Sequence, residues 1–367
     1  MKLTFEQAAA LRMHSLMLTP GKPAGVPGVV EWFGAVQAHD VGQAAWALGI
    51  RVPGSTEEGV QAELERGEVV RTWAFRGSSQ VVPAADARWM LRLTGVRALT
   101  GSRRPEKLGV DQPEGRSVLD ALPAMLRGRR LTVPEIQEEL PVAHPGLADL
   151  LWYAGLQGVV CLAPQTSGKH RYMLLDELAT TPVRDPGREE ALALVAVRYF
   201  RSHGPASRAD LARWTGLTVA DAKQAIAAAG DQLSTVTVGD TEMYACPDLL
   251  ALDPAVAAGA WAAVPGLDEC VTAFHGAPLL IDPTWAVLFS APTSGVRPGL
   301  LVHGGRVMGT WKRVRRGATM TFDVQLLEEL GPAGQEGAEA ALARVAAFHS
   351  ATPRVRWSRM QFWTKGH

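Results

Sequence analysis

The chain has 367 residues, too many for one ordinary hydrophobic core, so two or three domains are expected. Hydrophobic residues make up 47% of the chain and charged residues 20%, which is typical of a well-packed globular protein and argues against extensive disorder. The 37 basic and 37 acidic residues balance. This balance argues against a non-specific polycation, although clustered cations could still bind a nucleic acid.

Cysteine usage and apolar patterning indicate the environment of the protein. Cys161, Cys246 and Cys270 are widely spaced and form no CxxC pair, and the histidines form no metal-binding motif. A disulfide framework or a structural zinc site is therefore not expected, and neither is a cofactor. The first 18 residues lack the apolar core of a signal peptide, and no stretch is apolar for long enough to span a bilayer. We expect a reduced, cytoplasmic protein without membrane contact.

The N-terminal third of the chain has the pattern of several helices followed by a β-hairpin. An amphipathic pattern begins at Phe5, and further helical stretches lie before residue 68. β-rich sequence then surrounds Arg76-Gly77-Ser78, which is typical of a turn. Because helices followed by a hairpin is the order of a winged helix, we assign residues 1–112 to a first winged-helix domain.

The same order recurs in residues 113–184. Thr132, with Glu135 three residues later, has the pattern of a capping box at the start of a helix. A further helix ends at Gly158, and two strands then flank a polar, basic tip. These features predict a second winged-helix domain.

The order recurs most clearly in residues 185–250. A long helix stops at Gly204-Pro205, Ser207 and Thr218 can each cap a following helix, and two strands flank Gly239-Asp240. This threefold recurrence predicts an α+β, mainly helical fold with three tandem winged-helix domains, which together could line a DNA-binding channel.

Residues 251–367 have a different pattern. Gly304-Gly305, between alternating apolar residues, predicts a two-residue hairpin. Residues 336–350 have the pattern of a closing amphipathic helix. We expect a C-terminal β-containing extension that packs on the third domain.

Cationic side chains lie where a duplex channel needs them. Arg and Lys at such positions neutralise phosphates without reading base sequence, whereas the alternative for each cluster is an ordinary solvated surface. The clusters are Lys169, His170 and Arg171 at a predicted wing tip, Arg313, Arg315 and Arg316 after a predicted strand, and Arg103, Arg104, Arg127, Arg129 and Arg130 beside predicted helices.

The stretch GAVQAHD, residues 34–40, places an amide and an imidazole one residue apart. If this segment is extended, Gln37 and His39 face one way while Asp40 faces the other. The two side chains could then act together on a ligand. The alternative is a buried pair whose polar atoms are satisfied by the backbone.

GAVQAHD resembles the catalytic segment of the tandem winged-helix DNA glycosylases, the AlkZ/AlkX-like (YcaQ-like) family. The family motif is Gln, a small apolar residue, and then Gln in AlkZ-like or Asp in AlkX-like members. Gln37 matches the first catalytic position. His39 occupies the second and departs from the motif.

Other segments resemble the same family in the same order, so that the resemblance covers essentially the whole chain. VVRTWAFRGSSQVV is similar to its Arg-Thr and Arg-Gly-Thr/Ser strand pair, and RYFRSHGPASRADLARWTGL to its third-domain helix-turn-helix. VPGLDE and VHGGRVMGTWKR are similar to its C-terminal blocks.

The resemblance implies monofunctional hydrolysis of the N-glycosidic bond at alkylated purines, chiefly N7-alkylguanine and, in some members, interstrand crosslinks. It implies a role in base excision repair or in self-resistance beside the biosynthesis of a DNA-alkylating natural product. The expected partner is double-stranded DNA carrying alkylated purines, bound by a monomer. Two alternatives remain: a non-catalytic winged-helix regulator or lesion sensor, and a degenerate glycosylase that binds lesions without releasing a base.

The chemistry assigns complementary roles to the two side chains. An N7-alkylated guanine is already cationic, so the catalyst has to place water at the anomeric carbon and favour an oxocarbenium-like sugar. Gln37 can hold that water through its amide oxygen and nitrogen, and a neutral His39 can accept its proton. Asp40, and Arg76 and Ser78 on the adjacent predicted hairpin, are candidates for supporting the site.

Overall fold

The structure, a computed structural model, describes residues 1–19, 25–100, 105–141, 143–165, 168–274 and 297–360. The described chain is α+β, with more residues in helices than in strands, which confirms the α+β, mainly helical part of the predicted fold. Among the described helices, none is both long and apolar enough to cross a membrane. The cysteines Cys161, Cys246 and Cys270 are free thiols.

The helices are α1 (Phe5–Ser15), α2 (Val26–Phe33), α3 (Val41–Gly49), α4 (Glu57–Glu65), α5 (Ala87–Ala98), α6 (Pro113–Leu126), α7 (Val133–Glu139), α8 (Leu147–Leu156), α9 (Leu175–Leu178), α10 (Arg188–His203), α11 (Arg208–Thr215), α12 (Val219–Ala229), α13 (Pro247–Leu250), α14 (Glu269–Thr272) and α15 (Pro332–Phe348). The strands are β1 (Lys2–Leu3), β2 (Val36–Gln37), β3 (Val69–Phe75), β4 (Ser78–Pro83), β5 (Val160–Leu162), β6 (Tyr172–Leu174), β7 (Ser234–Val238), β8 (Thr241–Ala245), β9 (Trp261–Val264), β10 (Gly299–His303), β11 (Arg306–Arg316), β12 (Thr319–Leu326) and β13 (Thr352–Arg359).

Capping residues begin three helices where the sequence predicts them. Thr132, Ser207 and Thr218 each accept a hydrogen bond from the backbone N–H three residues later. The acidic side chain at that later position accepts one from the backbone N–H of the cap in return. Each capping box thus satisfies backbone donors that the first turn of a helix leaves unpaired. The predicted starts of α7, α11 and α12 are confirmed.

Two of the predicted tight turns have the backbone geometry of two-residue hairpins. Arg76 and Gly77 join β3 to β4 with φ of 59° and 63°, and Gly304 and Gly305 join β10 to β11 with φ of 56° and 87°. Positive φ at both positions matches the twist of the flanking strands. Arg76 therefore adopts a backbone conformation that is uncommon for a residue with a Cβ.

One five-stranded sheet, in the order β2-β4-β3-β5-β6, positions the candidate catalytic segment. β2 pairs antiparallel with β4, where Gln37 lies opposite Gln80, and Gln80 in turn lies opposite Thr72 of β3. Arg71 of β3 lies opposite Leu162 of β5, which joins the β3-β4 hairpin to the β5-β6 hairpin. We refer to residues 1–112 as the first or N-terminal unit, to residues 113–184 as the second unit and to residues 185–250 as the third unit. The third hairpin, β7-β8, forms a separate sheet in which β1 pairs with β7.

The C-terminal sheet, in the order β13-β12-β11-β10-β9, packs mainly on the N-terminal unit. Trp46 of α3 contacts Phe348 of α15 with ring centroids 5.1 Å apart, and its indole nitrogen donates to the carbonyl of Ala263 in β9 at 2.7 Å. The expected packing of the whole extension on the third unit is therefore wrong. The apolar side of α3 needs a cover and receives it from this sheet, while Ala273 and Phe274 join the core formed by α10 to α12.

A buried ion pair ties the C-terminal segment to the end of α3. Both terminal nitrogens of Arg51 donate to the Asp268 carboxylate at 2.8 Å, and the two side chains are 1% and 0% exposed. Although burial disfavours both charges, each keeps the other ionised: the pKa of Asp268 is lowered and that of Arg51 is raised. The pair fixes the position at which α14 begins.

We expect Asp268→Asn to lower the free energy of unfolding by about 3–5 kcal/mol, because it leaves the Arg51 cation buried without a counter-charge. Urea unfolding followed by circular dichroism measures this loss. The matched control is Asp323→Asn, which breaks the exposed pair with Arg356 (50% and 64% exposed) and should cost about 0–1 kcal/mol. Equal losses in the two variants would contradict this account.

Candidate active site

Gln37 lies at the end of β2 with its carboxamide oxygen held by two donors. Its Oε1 accepts from the Ser78 hydroxyl at 3.2 Å and from the backbone N–H of Ala38 at 3.1 Å. Because an amide oxygen has two lone pairs, both are engaged within the protein. The carboxamide nitrogen, which can only donate, is thus the atom with which half-buried Gln37 can bind a ligand. This differs from the expectation that oxygen and nitrogen hold a water together.

The segment after Gln37 is anchored to β4 by Ala38. The backbone N–H of Ala38 donates to the Ser79 carbonyl at 3.0 Å, and the Ser79 hydroxyl donates to the Ala38 carbonyl at 2.8 Å. Extended structure ends at Gln37, and the chain bends at His39 and Asp40. The predicted extended run is therefore shorter than the stretch VQAHD, because Asp40 caps α3 by accepting from the backbone N–H of Gln43 at 2.9 Å.

His39 is exposed and lies beside the tip between β5 and β6. It is one of the groups that act electrostatically on His170, together with Asp40 and Arg71. Gln37 has different neighbours, namely Ser78 and the carboxylate of Glu269. The structure thus places both candidate catalytic residues on one short segment that the second helical unit approaches through His170.

The side chain of Arg71 contacts the ring of His170. Arg71 is 6% exposed, and its Nη2 lies 3.1 Å from Nδ1 of His170. Within the residues that the structure describes, its Nε and Nη1 have no hydrogen-bond partner, and burial lowers the pKa of Arg71 to about 10. Because a guanidinium only donates, Nδ1 of His170 has to be the acceptor, which places the proton of a neutral ring on Nε2. Neither Arg71 nor this contact was singled out from the sequence.

We expect Arg71→Met to raise the pKa of His170. Partial removal from solvent lowers that pKa, Arg71 and His39 lower it further, and Asp40 opposes them. Loss of the Arg71 cation makes protonation easier, so the pKa should move up towards the ordinary histidine value of about 6.5. An NMR titration of the His170 ring measures the shift. Arg129→Met is the control, since Arg129 binds Glu139 instead. An unchanged His170 pKa in Arg71→Met would contradict the contact.

Glu269 is a polar neighbour of Gln37 that sequence reasoning missed. It is 2% exposed, and its Oε1 accepts from the backbone N–H of Gln37 at 2.6 Å. Its Oε2 accepts from the indole nitrogen of Trp214 at 2.9 Å and lies 3.4 Å from Nε2 of His203. The segment VPGLDE contained a signal for it, because its last residue is this carboxylate, but only the three-dimensional fold brings it to β2.

Arg76 connects the β3-β4 turn to α11. Its Nη1 donates to the carbonyl of Arg213 at 3.0 Å, and a side chain at Gly216 would collide with its Cγ. Burial lowers the pKa of Arg76, and the Glu269 charge opposes that shift. Of the two hairpin residues expected beside the site, Ser78 contacts Gln37 directly. Arg76 instead interacts electrostatically with Glu269, which in turn contacts the backbone of Gln37.

The basic tip of the second unit combines exposed and engaged cations. Lys169 is exposed, and Arg171 donates to the carbonyl of Arg130 at 3.1 Å and lies 3.7 Å from Glu135. In the cluster that follows α6, Arg129 binds Glu139 and Arg130 binds Glu65, each through two hydrogen bonds, while Arg127 is exposed. Arg103 and Arg104 lie outside the described residues.

The cations of β11 also differ in their availability. Arg313 is partly buried, burial lowers its pKa, and its Nη1 has no hydrogen-bond partner among the residues described. Arg315 donates through Nη1 to the carbonyl of His349 at 3.0 Å, while Arg316 is exposed. Arg313 and Asp40 both line a cavity of about 470 Å³.

Comparisons with known proteins agree with one another. A family model described as "DNA glycosylase AlkZ-like" matches residues 30–348. The "Interstrand DNA cross-link repair glycosylase" of Streptomyces sahachiroi is 25% identical over 232 residues, which are 59% of this chain. The chain spans 62% of the length of that relative. The solved structure of Streptomyces sahachiroi DNA glycosylase AlkZ superimposes with a TM-score of 0.79 at 22% identity, over 98% of this chain and 100% of the other, and so has the same fold.

Proposed function

Because the chain belongs to the AlkZ-like DNA glycosylase family, we propose that it hydrolyses the N-glycosidic bond of alkylated purines in double-stranded DNA. The observation that carries this proposal is the fixed carboxamide of Gln37, held by Ser78 and Ala38 one residue before the exposed imidazole of His39. The family match alone does not identify the groups that take part in the reaction.

The proposed architecture has three tandem winged-helix domains, residues 1–112, 113–184 and 185–250, around a duplex channel. In support, helices precede the hairpins β3-β4, β5-β6 and β7-β8 in each range. The residues from 251 onward form the extension. We expect the enzyme to act as a monomer and to need no cofactor.

The proposed substrate is N7-alkylguanine, including bulky natural-product adducts. Interstrand crosslinks are a further candidate, since the Streptomyces sahachiroi relative is named for their repair. Such lesions fit a role in base excision repair or in the self-resistance of a producer. An alkylated N7 makes the base cationic, so that it leaves as a neutral molecule without general acid catalysis.

In the proposed mechanism the nitrogen of the Gln37 carboxamide donates to the attacking water, and neutral His39 accepts a proton from it. The water oxygen forms a bond to C1′ while the C1′–N9 bond breaks. The electron pair of that bond remains with the departing purine and cancels its charge. A protonated His39 would oppose the positive charge that grows on the sugar, so the neutral form is the active one. Asp40 supports the arrangement as the cap that fixes the bend.

Phosphate contacts are proposed for the tip residues Lys169, His170 and Arg171 and for Arg313, Arg315 and Arg316 of β11. Among them, Lys169 and Arg316 are exposed cations, as direct contact with a phosphate requires. His170 would offer its Nε2–H, since Arg71 occupies the other ring nitrogen.

Incubation with a duplex carrying one N7-methylguanine tests the proposed function. We expect release of the free methylated base and an alkali-labile abasic site. Tight lesion binding without base release would instead indicate a lesion sensor or regulator.

Gln37→Ala should reduce the single-turnover excision rate by about 10²-fold, because the water loses its positioning donor. Duplex affinity should change by less than about threefold, since Gln37 supplies little of the phosphate contact. Gln335→Ala, at an exposed position of α15, is the control. A rate in Gln37→Ala equal to that of the control would remove Gln37 from the mechanism.

A general base acts only in its unprotonated form, so excision should slow in acid if His39 is the base. His39→Ala should be slow throughout and show a flatter profile. His144→Ala, in the second unit, should keep the profile of the unsubstituted protein. If His39→Ala and the unsubstituted protein have the same pH dependence, His39 is not the base.

A further inference from the structure

Glu269 contacts the side of β2 that faces away from β4. The backbone N–H of Ala38 points to β4, where it meets the Ser79 carbonyl, so the N–H of Gln37, one residue earlier, points away from β4. An N–H on this side of an edge strand needs a partner from outside the sheet. Glu269 supplies that partner at 2.6 Å from a position that is 2% exposed.

We propose that Glu269 is the positioning residue for Gln37, acting through the backbone rather than on the substrate. Its carboxylate holds one side of the segment, and Ala38 holds the other through β4. With both sides fixed, the Cα–Cβ bond of Gln37 has one direction, which lets Ser78 and the Ala38 N–H hold the carboxamide oxygen. The donor nitrogen is thereby presented in one orientation.

The charge of Glu269 makes this contact stronger than an ordinary backbone bond. A hydrogen bond to an ionised carboxylate is shorter and roughly twice as strong as one between neutral groups. The second oxygen is fixed in turn by Trp214 of α11, while Asp268, one residue earlier, is locked by Arg51. The position of Gln37 therefore depends, through Glu269, on the positions of α11 and α3.

This inference rests on the proposed function for its kinetic test but not for its structural test. Amide hydrogen exchange measured by NMR reports the Gln37 N–H directly, without any substrate. We expect Glu269→Ala to accelerate exchange at Gln37 while exchange at Ala38, which bonds to β4, changes much less. The matched control Glu177→Ala removes a carboxylate that accepts from a different backbone N–H, that of Gly128 at 2.9 Å, and should leave exchange at Gln37 slow.

The kinetic test compares Glu269→Ala with Glu269→Gln in single-turnover excision of N7-methylguanine. Glu269→Ala should be slower by about 10- to 100-fold with duplex affinity nearly unchanged, since misplacement of about 1 Å can cost 10²-fold. Glu269→Gln should lie between Glu269→Ala and the unsubstituted protein, because its amide oxygen can still accept, though without charge. The control Glu177→Ala, whose carboxylate binds the backbone of Gly128 instead, should retain the rate.

A double substitution separates positioning from general damage to the fold. If Glu269 acts through Gln37, adding Glu269→Ala to Gln37→Ala should slow excision no further. A further slowing by the same factor as in the unsubstituted protein overturns the inference, as does unchanged exchange at Gln37. Should Glu269→Ala not fold, Glu269→Gln decides: equality with the unsubstituted protein in both exchange and rate overturns the inference. Absence of base release by the unsubstituted protein would refute the proposed function alone, and the exchange measurement would still test Glu269.

Discussion

The fixed backbone of a two-residue edge strand is the constraint on which the candidate site depends. β2 is too short to hold its place by pairing alone, and a buried carboxylate, Glu269, closes its open side. That carboxylate is held in place because its neighbour Asp268 pairs with Arg51 in the core. The orientation of the Gln37 side chain thus depends on Ser78 and Ala38 and, through the backbone contact with Glu269, on a residue 232 positions away in the sequence.

Local features of this chain could be predicted because each depends on neighbouring residues. The capping boxes at Thr132, Ser207 and Thr218 and the Gly304-Gly305 turn follow from hydrogen bonds or φ preferences within four residues. The packing of the C-terminal sheet on α3 could not be read in this way. An apolar side of a helix signals that a cover is needed but does not identify the element that supplies it.

The same distinction between local and long-range features applies to the candidate site. The sequence alone singled out Gln37, His39 and Ser78, but it could not show that the Gln37 oxygen is already occupied. It also gave no means to tell an available cation from a paired one. Arg129 and Arg130 resemble Lys169 in sequence, yet the first two bind carboxylates and Lys169 is exposed.

A crystal structure with a duplex that carries a cationic azasugar at the lesion position tests the central claim most directly, because that sugar imitates the charge of the transition state. The account predicts an ordered water on the face of the ring opposite the departing base. The Gln37 amide nitrogen and the His39 ring should both lie within about 3.2 Å of that water. A sugar bound far from Gln37, or a water held by neither side chain, would contradict it.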